Sequence, residues 1–226
     1  MRTVVIIQAR MGSERYPRKV LKRIGSRKLL QHVVDRCKHS IADQVVLAIP
    51  NSKENDVLEG VGQVACFRGS ETDVLSRYYE AALEFKAQSI VRVTGDCPLI
   101  DPDIIDQVIG LLQGADYVTC EGYPRGVWCE GITFESLGCA HVCANKPYQR
   151  EHVTPYLIEN GWNTGRLVSK VQRGYRLCVD EPDDMKMVRR VVDRLGENCT
   201  TEDIIQLLDR EPELICNAHI SQRQTY

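Results

Sequence analysis

The sequence lacks any long apolar run, and aromatic side chains make up only 6% of its 226 residues. The first apolar segment, residues 3–8, ends at the polar Gln8 and is much shorter than the roughly 18 residues that a membrane span requires. The segment is also too short for the apolar core of a signal peptide. We therefore expect a cytoplasmic protein that has no membrane partner.

The sequence also lacks a surplus of positive charge. It has 29 lysine and arginine residues against 31 aspartate and glutamate residues, which leaves a formal net charge of −2. A protein that attracts nucleic acid through its overall field needs a basic surplus, so we expect no nucleic-acid partner. The contents of hydrophobic residues, 43%, and of charged residues, 27%, are those of a globular chain.

Paired metal-binding cysteines are missing as well. The chain has ten cysteines, but no two of them have Cys-x-x-Cys spacing, and the closest pair is Cys139 and Cys143. Structural zinc sites usually show tighter ligand pairs, so we do not expect zinc. Most of the cysteines fall in apolar segments, which is typical of buried free thiols in a reducing compartment.

Short β-branched runs alternate with helical patterns along the chain. We predict strands at residues 3–8, 44–49, 63–67, 89–93, 116–119 and 176–179. We predict helices at residues 29–37, 53–60, 74–85, 104–112, 134–144, 151–160, 182–195 and 201–208. This alternation predicts an α/β fold with a mostly parallel sheet and helices on both faces. We expect one domain over residues 1–226, with a small lobe inserted near residues 120–165.

The loop after the first predicted strand concentrates positive charge. Between positions 10 and 28 a single acid, Glu14, stands against eight basic residues: Arg10, Arg15, Arg18, Lys19, Lys22, Arg23, Arg27 and Lys28. Gly12 and Ser13 allow a tight turn whose backbone N–H groups point at an anion. Since ligands of open α/β sheets bind beyond the carboxyl ends of the strands, this loop predicts a polyphosphate cradle. The alternative is a solvated basic loop.

Two aspartates also follow predicted strands. Asp96 comes after the fourth strand and Asp180 after the last one, and we predict both as ligands of Mg²⁺ beside the polyphosphate. The alternative for each is a carboxylate that merely turns the chain before a helix. For Asp101 we predict a helix cap, and for Asp183 and Asp184 a structural role in a first helical turn.

Four motifs, in order, resemble the cytidylyltransferases that make CMP-activated sugar acids, which include the CMP-Kdo and CMP-sialic acid synthetases. The likeness is greatest to the branch of spore-coat-polysaccharide and flagellin-modification enzymes. The motifs are IQARMGSxRxPxKVL at 7–21, FRGSExDVLxRYY at 67–79, RVTGDCPLID at 92–101 and YxREHVTPY at 148–156. The likeness extends from the N-terminus to about residue 195.

The resemblance implies a Rossmann-like nucleotidyltransferase fold, a three-layer sandwich that is usually dimeric, with CTP as donor and Mg²⁺ as cofactor. It implies a nucleotide site formed by Ala9, Arg10, Gly12, Ser13, Arg15, Lys19, Arg68, Ser70, Asp73 and Asp96, of which Arg10, Lys19 and Asp96 are the catalytic candidates. The metal ligands would be Asp96 and Asp180. The acceptor-binding residues would be Arg125, Glu130, Tyr148, Arg150 and His152, the last also a candidate base. For positions 148–152 a dimer contact or a simple helix start remains an alternative.

The sequence departs from the family pattern in two segments. The loop motif usually reads Pro-Gly-Lys, and here Arg18 replaces the glycine. The acceptor-side segment commonly reads PDGLDVEVF, and here residues 124–132 read PRGVWCEGI, so that Arg125 and Trp128 replace two acids while Glu130 remains. We hypothesise that the acceptor is smaller or more anionic than a standard sugar acid, for example a phosphonate.

The expected reaction is transfer of CMP from CTP to an acidic acceptor, with release of pyrophosphate. Such a reaction needs in-line positioning and positive charge on the leaving oxygens, and little covalent help. One alternative is a nucleotide-sugar pyrophosphorylase or a glycosyltransferase-like enzyme, for which Asp101 and Asp103 have the Asp-x-Asp spacing. The other alternative is a nucleotide-binding subunit that has lost its chemistry.

Overall fold

A computed structural model describes residues 1–220, in which a seven-stranded sheet is flanked by helices. The strands are β1 (Thr3–Gln8), β2 (Arg23–Ile24), β3 (Arg27–Lys28), β4 (Gln44–Pro50), β5 (Ala65–Gly69), β6 (Ser89–Thr94), β7 (Tyr117–Glu121), β8 (Glu130–Thr133) and β9 (Thr164–Val168). The helices are α1 (Leu29–Cys37), α2 (Val74–Glu84), α3 (Pro102–Leu111), α4 (Phe134–Cys143), α5 (Pro147–His152), α6 (Pro155–Glu159), α7 (Pro182–Leu195) and α8 (Thr201–Arg210). Short 3-10 helices cover Lys19–Leu21, Lys53–Leu58, Val61–Gln63 and Pro212–Leu214.

The main sheet has the strand order β5-β4-β1-β6-β8-β7-β9, and β2 and β3 form a separate small hairpin. Strands β5, β4, β1 and β6 pair in parallel, and β7 pairs in parallel with β9. Strand β8 runs antiparallel to both of its neighbours, β6 and β7. This arrangement confirms the predicted α/β class with a mostly parallel sheet. It also brings the carboxyl ends of β1, β4, β5 and β6 to one edge.

Strand β1 lies at the centre of two apolar layers, which explains its continuous apolar run. Val5 and Ile7 point to the face covered by α1, α3, α7 and α8. Val4 and Ile6 point to the face covered by α2, α4 and α6. All four side chains are completely buried. No helix within residues 1–220 is long and apolar enough to cross a membrane.

Several predicted elements have the observed bounds, and others differ for local reasons. The helices predicted at residues 29–37 and 182–195 match α1 and α7. The helix predicted at 151–160 is wrong, because the chain forms two short helices, α5 and α6, on either side of residue 153. Val153 adopts a left-handed backbone with a φ of 74°, and Pro155 then begins the next helix.

The strand predicted at 176–179 is wrong, because that segment pairs only through an isolated parallel bridge between Arg125 and Arg176. Strands β8 and β9 were not predicted from the sequence. Strand β8 begins with a charged residue and contains Gly131, which gives it no apolar alternation. A Cβ on Gly131 would lie 2.7 Å from Val108 Cγ1, so the glycine allows helix α3 to pack closely on the strand.

The segment predicted as an inserted lobe, residues 120–165, provides parts of both the sheet and one helical layer. It supplies β8, which pairs with β6 and β7 inside the main sheet, and helices α4, α5 and α6. Helices α4 and α5 both contact α2. The segment thus adds Glu130 to the main sheet, opposite Arg92 near the carboxyl end of β6.

Candidate active site

The Lys19 side chain lies between two aspartates that the sequence separates widely. Its Nζ atom is 2.8 Å from Asp96 Oδ2 and 2.9 Å from Asp180 Oδ1. Only 11% of the Lys19 side chain and 11% of the Asp180 side chain are exposed, against 25% for Asp96. The structure therefore brings together three of the predicted site residues, each from a different segment, at the carboxyl edge of the sheet.

Close backbone packing positions the two aspartates. The Gly95 N–H donates to the Gln8 carbonyl at 2.8 Å, and a Cβ on Gly95 would lie 2.9 Å from both that oxygen and Ala9 Cβ. Glycine at position 95 thus lets the end of β6 approach the end of β1. The Val179 N–H in turn donates to the Asp96 carbonyl at 2.8 Å, which holds the residue before Asp180 beside Asp96.

The electrostatics keep all three groups charged. Burial disfavours the charged form of Asp96, but the neighbouring Lys19 ammonium outweighs it and holds the pKa of Asp96 well below its usual range. Burial and the charge of Asp96 both oppose ionisation of Asp180, yet the pKa of Asp180 is also lowered because Lys19 donates to it. Burial acts to lower the pKa of Lys19, but the two carboxylates outweigh burial and raise it.

A buried arginine that the sequence analysis did not select completes the surroundings of Asp180. Arg176 Nη2 lies 2.7 Å from Asp180 Oδ2, and Arg176 Nε lies 2.8 Å from Asp184 Oδ1. Arg15 lies 3.2 Å from Asp180 Oδ1, and Arg125 lies 4.0 Å from Asp180 Oδ2. Asp184 is fully buried and also accepts from the Asp180 N–H at 2.9 Å, so its role is structural, as predicted. The signal for Arg176 was a charged residue at the start of the short strand predicted at 176–179.

The basic loop after β1 is held at its base and open at its tip. The Met11 N–H donates to Asn55 Oδ1 at 2.8 Å, and Asn55 is fully buried. The Ser13 N–H donates to the Met11 carbonyl at 2.8 Å, which closes the turn around the exposed Gly12. The Arg10 side chain is exposed and makes no ion pair within residues 1–220. Asn55 lies in a polar stretch, and no sequence pattern singled it out.

Arg18 occupies a strained position in this loop. Its backbone has φ 56° and ψ 28°, in the left-handed region that favours glycine. This is the position at which the resembling family usually has glycine. Arg18 therefore replaces glycine at a position where the backbone conformation favours glycine.

Arg68, Ser70 and Asp73, which the resemblance assigns to the nucleotide site on its cytidine side, lie at and just after the end of β5. Arg68 forms ion pairs with Asp56, at 2.7 Å, and with Glu59. The Ser70 hydroxyl accepts from the Asp73 N–H at 3.0 Å, and the Asp73 side chain caps helix α2. These side chains stand two strands away from β1 on the same edge of the sheet, and their nucleotide contacts stay a prediction.

Three of the predicted acceptor residues, Tyr148, Arg150 and His152, lie on helix α5. Arg150 Nε donates to Asp73 Oδ2 at 2.9 Å, and its Nη1 donates to the His141 carbonyl at 2.5 Å. Arg150 therefore ties α5 to the loop before α2. The Tyr148 hydroxyl donates to Glu159 Oε1 at 2.6 Å, on helix α6. The direct acceptor contacts of Tyr148 and Arg150 stay predictions.

The remaining acceptor candidates have different surroundings. Glu130 is 4% exposed, forms an ion pair with Arg92 across the β6–β8 register and accepts from the Tyr117 hydroxyl. His152 is exposed at the end of α5, and Arg125 faces Asp180. Of the five acceptor candidates, Arg125 is thus the one that the ion pairs link to the Lys19 cluster.

Asp96 and Asp180 are the residues that fit a divalent cation. Both carboxylates already converge on one positive group, the Lys19 ammonium, which shows that their oxygens face a common point. In the described part of the chain no group of three or more His, Cys, Asp or Glu side chains is arranged to hold a metal ion. In proteins, Mg²⁺ is usually coordinated by one or two carboxylates, with phosphate and water in the remaining coordination positions.

A family model and a curated relative match most of the chain. A family model described as "Cytidylyltransferase" matches residues 4–211. The chain belongs to the cytidylyltransferase family. The spore coat polysaccharide biosynthesis protein SpsF of Bacillus subtilis is 32% identical, over 92% of this chain and 94% of its own length. Membership confirms the resemblance drawn from the four motifs.

Solved structures agree with the fold of this cytidylyltransferase. A cytidylyltransferase from Leptospira borgpetersenii serovar Hardjo-bovis is 30% identical and superposes with a TM-score of 0.92, covering 98% of this chain and all of the other. A CMP:2-keto-3-deoxy-manno-octonic acid synthetase, solved in complex with CTP, superposes with a TM-score of 0.70 over 86% of this chain and 99% of its own. At 18% identity that likeness shows the shared nucleotidyltransferase fold alone.

Proposed function

We propose that this protein transfers CMP from CTP to a small acidic acceptor and releases pyrophosphate. The observation that carries the proposal is the Lys19 ammonium held between Asp96 and Asp180 beside an open basic loop. Polyphosphates bind beyond the carboxyl ends of parallel strands, and this arrangement stands at that edge. Membership of the cytidylyltransferase family supports CTP as the donor.

The chain contributes position and charge to the reaction. An acceptor oxygen forms a bond to the α-phosphorus of CTP while the bond from that phosphorus to the pyrophosphate oxygen breaks. Arg10, Arg15 and Lys19 would neutralise the negative charge that gathers on the leaving oxygens, and Arg10 has no competing ion pair among residues 1–220. A carboxylate or phosphonate acceptor brings a deprotonated oxygen at neutral pH, whereas a hydroxyl needs a base, for which His152 is the candidate.

Mg²⁺ is the cofactor that we propose. Asp96 and Asp180 would hold it, with phosphate oxygens and water as the other ligands. A bound Mg²⁺ would neutralise charge on the phosphates and orient them. The Lys19 ammonium and the metal would compete for the same carboxylate oxygens, so binding of the metal would leave Lys19 available to the phosphates.

Arg125 supports an anionic acceptor. It stands where the family commonly has an aspartate, and its guanidinium lies 4.0 Å from Asp180 Oδ2, beside the reacting centre. A positive group there favours a carboxylate or phosphonate by direct pairing. We propose a sugar acid or a phosphonate as the acceptor.

Other features support a homodimer in the cytoplasm. We propose a homodimer because the resembling family is usually dimeric, and Val142 on α4, which is 81% exposed, and Ile158 on α6, which is 50% exposed, are candidates for its interface. All ten cysteines are free, which supports a reducing compartment.

The glycosyltransferase-like alternative depended on the Asp-x-Asp spacing of Asp101 and Asp103, and the structure gives Asp101 another role. Asp101 is 4% exposed, and its carboxylate accepts from the Asp103 N–H at 3.1 Å and from the Thr201 N–H at 2.7 Å. As predicted, Asp101 caps helix α3. Its oxygens are therefore used within the fold and do not form an Asp-x-Asp metal site.

Pyrophosphate release tests the proposal. The protein would be mixed with Mg²⁺, one of CTP, UTP, ATP or GTP, and each member of a panel of sugar acids and phosphonates. We expect release with CTP and one class of acceptor, and a loss of at least a hundredfold in Lys19→Ala. Lys22→Ala is the matched control, because the Lys22 ammonium lies over the Tyr16 ring, 4.6 Å from its centre. Release with UTP in preference to CTP, or no binding of CTP, would contradict the proposal.

A further inference from the structure

One arginine near the proposed nucleotide site is buried without a counter-ion. Arg77, on helix α2, is 2% exposed, and its Nη1 donates to the Ser70 carbonyl at 2.5 Å. Its Nε atom is enclosed and has no hydrogen-bond partner. Among the described residues Arg77 makes no ion pair, so a full positive charge is buried against a single carbonyl oxygen.

A buried charge without a partner costs stability, and the surroundings of Arg77 increase that cost. Burial lowers the pKa of Arg77, and the nearby Arg10 guanidinium lowers it further because two like charges repel. Glu71 and Asp73 offset this in part, although neither of them forms an ion pair with Arg77. Asp73 instead pairs with Arg150. Arg77 is therefore offset only by groups at a distance, and none of them is an ion-pair partner among the described residues.

Arg92, on strand β6, is a second buried arginine in this part of the protein, and it does have a counter-ion. The Arg92 side chain is 12% exposed and its Nε atom is also enclosed without a partner. Glu130, however, pairs with it directly across the β6–β8 register. Tyr78, the residue after Arg77, donates its hydroxyl to the Val93 carbonyl at 3.0 Å, next to Arg92, so the two arginines belong to one region of the protein. The difference between them is that only Arg92 has a carboxylate.

The position of Arg77 points to a ligand as the missing counter-ion. Arg77 packs against Gly69 at the carboxyl end of β5, where a Cβ would lie 3.1 Å from Arg77 Cγ. The glycine therefore leaves room for the stem of the Arg77 side chain, whose guanidinium donates to the Ser70 carbonyl at the same sheet edge as the basic loop. Arg10, the exposed neighbour that repels Arg77, belongs to that basic loop. An anion bound there would relieve the repulsion between the two arginines.

We propose that Arg77 is a further determinant of nucleotide binding, whose buried positive charge acts with Arg10 to attract the polyphosphate of CTP. The inference rests on the proposed function. It assigns Arg77 an electrostatic effect through space and no direct contact with the reacting atoms. In this proposal the polyphosphate provides the negative charge near Arg77, because no carboxylate among the described residues forms an ion pair with it.

The test uses the full chain and two probes, CTP and inorganic pyrophosphate, with their dissociation constants measured by calorimetry. We expect Arg77→Met to weaken both probes by at least tenfold and to leave the melting temperature equal to or above that of the wild type. Arg77→Lys keeps the charge and should bind both probes within threefold of the wild type. A loss of CTP binding with unchanged pyrophosphate binding would overturn the proposal, because it would assign Arg77 to the shape of the cytidine side.

Arg92→Met is the matched control. It should lower the melting temperature, because it strands the buried Glu130, and it should leave pyrophosphate binding within threefold. If Arg77→Met fails to fold, or melts as low as Arg92→Met with unchanged affinity for both probes, Arg77 is structural and the proposal is wrong. If the wild type binds pyrophosphate but not CTP, the proposed function fails while the pyrophosphate comparison still tests Arg77.

Discussion

Replacing Lys19 with methionine removes the positive charge that two carboxylates share. Asp180 keeps its contact with Arg176, at 2.7 Å, but Asp96 has its ion pair with Lys19 alone among residues 1–220. Removing one partner of a buried ion pair typically costs about 3–5 kcal/mol. Because the Asp96 side chain is 25% exposed, we expect the lower end, a loss of about 3 kcal/mol in the free energy of unfolding. For a chain of this size that is a fall of roughly 6–12 °C in melting temperature.

The loss should depend on pH in a defined direction. The pKa of Asp96 is lowered in the folded protein, so its contribution to stability is present above the unfolded pKa of about 3.9 and is lost as the pH falls through the folded value. The difference in stability between wild type and Lys19→Met should therefore be largest near pH 7 and should shrink below about pH 4. Added Mg²⁺ should stabilise Lys19→Met more than the wild type, because no ammonium then competes for the carboxylates.

Equilibrium unfolding in urea, followed by circular dichroism at several pH values with and without Mg²⁺, measures these effects. Lys22→Met is the control, since it removes a lysine from the same loop without leaving a carboxylate unpaired. We expect that control to lie within about 0.5 kcal/mol of the wild type. Equal stabilities of Lys19→Met and Lys22→Met at pH 7 would refute the reasoning.

Further predictions concern the loop, the acceptor side and a buried thiol. Arg18→Gly should raise the free energy of unfolding by about 1 kcal/mol in urea, because the backbone at this position is left-handed; an unchanged or lower value contradicts this. Gly126→Ala should destabilise by more than the roughly 1–2 kcal/mol expected of Gly161→Ala, since its Cβ would lie 2.4 Å from a backbone nitrogen whereas Gly161 has open space. Arg125→Asp should raise the KM for the acceptor at least tenfold and leave the KM for CTP within threefold, and full activity on the acceptor would refute its role. Cys178 is 3% exposed and burial raises the pKa of its thiol to about 12, so mass spectrometry should find it labelled by maleimide at neutral pH at least tenfold more slowly than the exposed Cys143, and equal rates would contradict this.

The sequence was informative where local patterns decide the structure. The continuous apolar run of β1 predicts a strand buried on both faces, and the helical spacing after Pro182 predicts α7 with its observed bounds. Asp96, Asp180 and Lys19 were selected as candidates because each follows a predicted strand and ligands bind at that edge, although the segment before Asp180 pairs only by a single bridge. The motif shows that Arg18 stands where the family usually has glycine, but it does not show that the backbone at this position is left-handed.

The parts that the sequence did not predict depend on contacts between distant residues. Strand β8 begins with Glu130, which the sheet buries only because Arg92 stands opposite it on β6. Arg176 supports Asp180 from within an extended segment that pairs by a single bridge. Asn55 holds the basic loop from 44 residues away. None of these roles leaves a periodic pattern, since each arises when the whole chain packs.

A structure of the protein with CTP and Mg²⁺ tests the central claim most directly. The account predicts the triphosphate along the basic loop after β1, with the α-phosphate beside Asp96 and the Lys19 ammonium moved from the carboxylates toward the phosphates. It also predicts electron density for one cation between Asp96 and Asp180. A triphosphate bound elsewhere, for example in the surface cleft lined by Arg23, Arg27 and Lys28, with the Lys19 ion pairs undisturbed, would contradict the account.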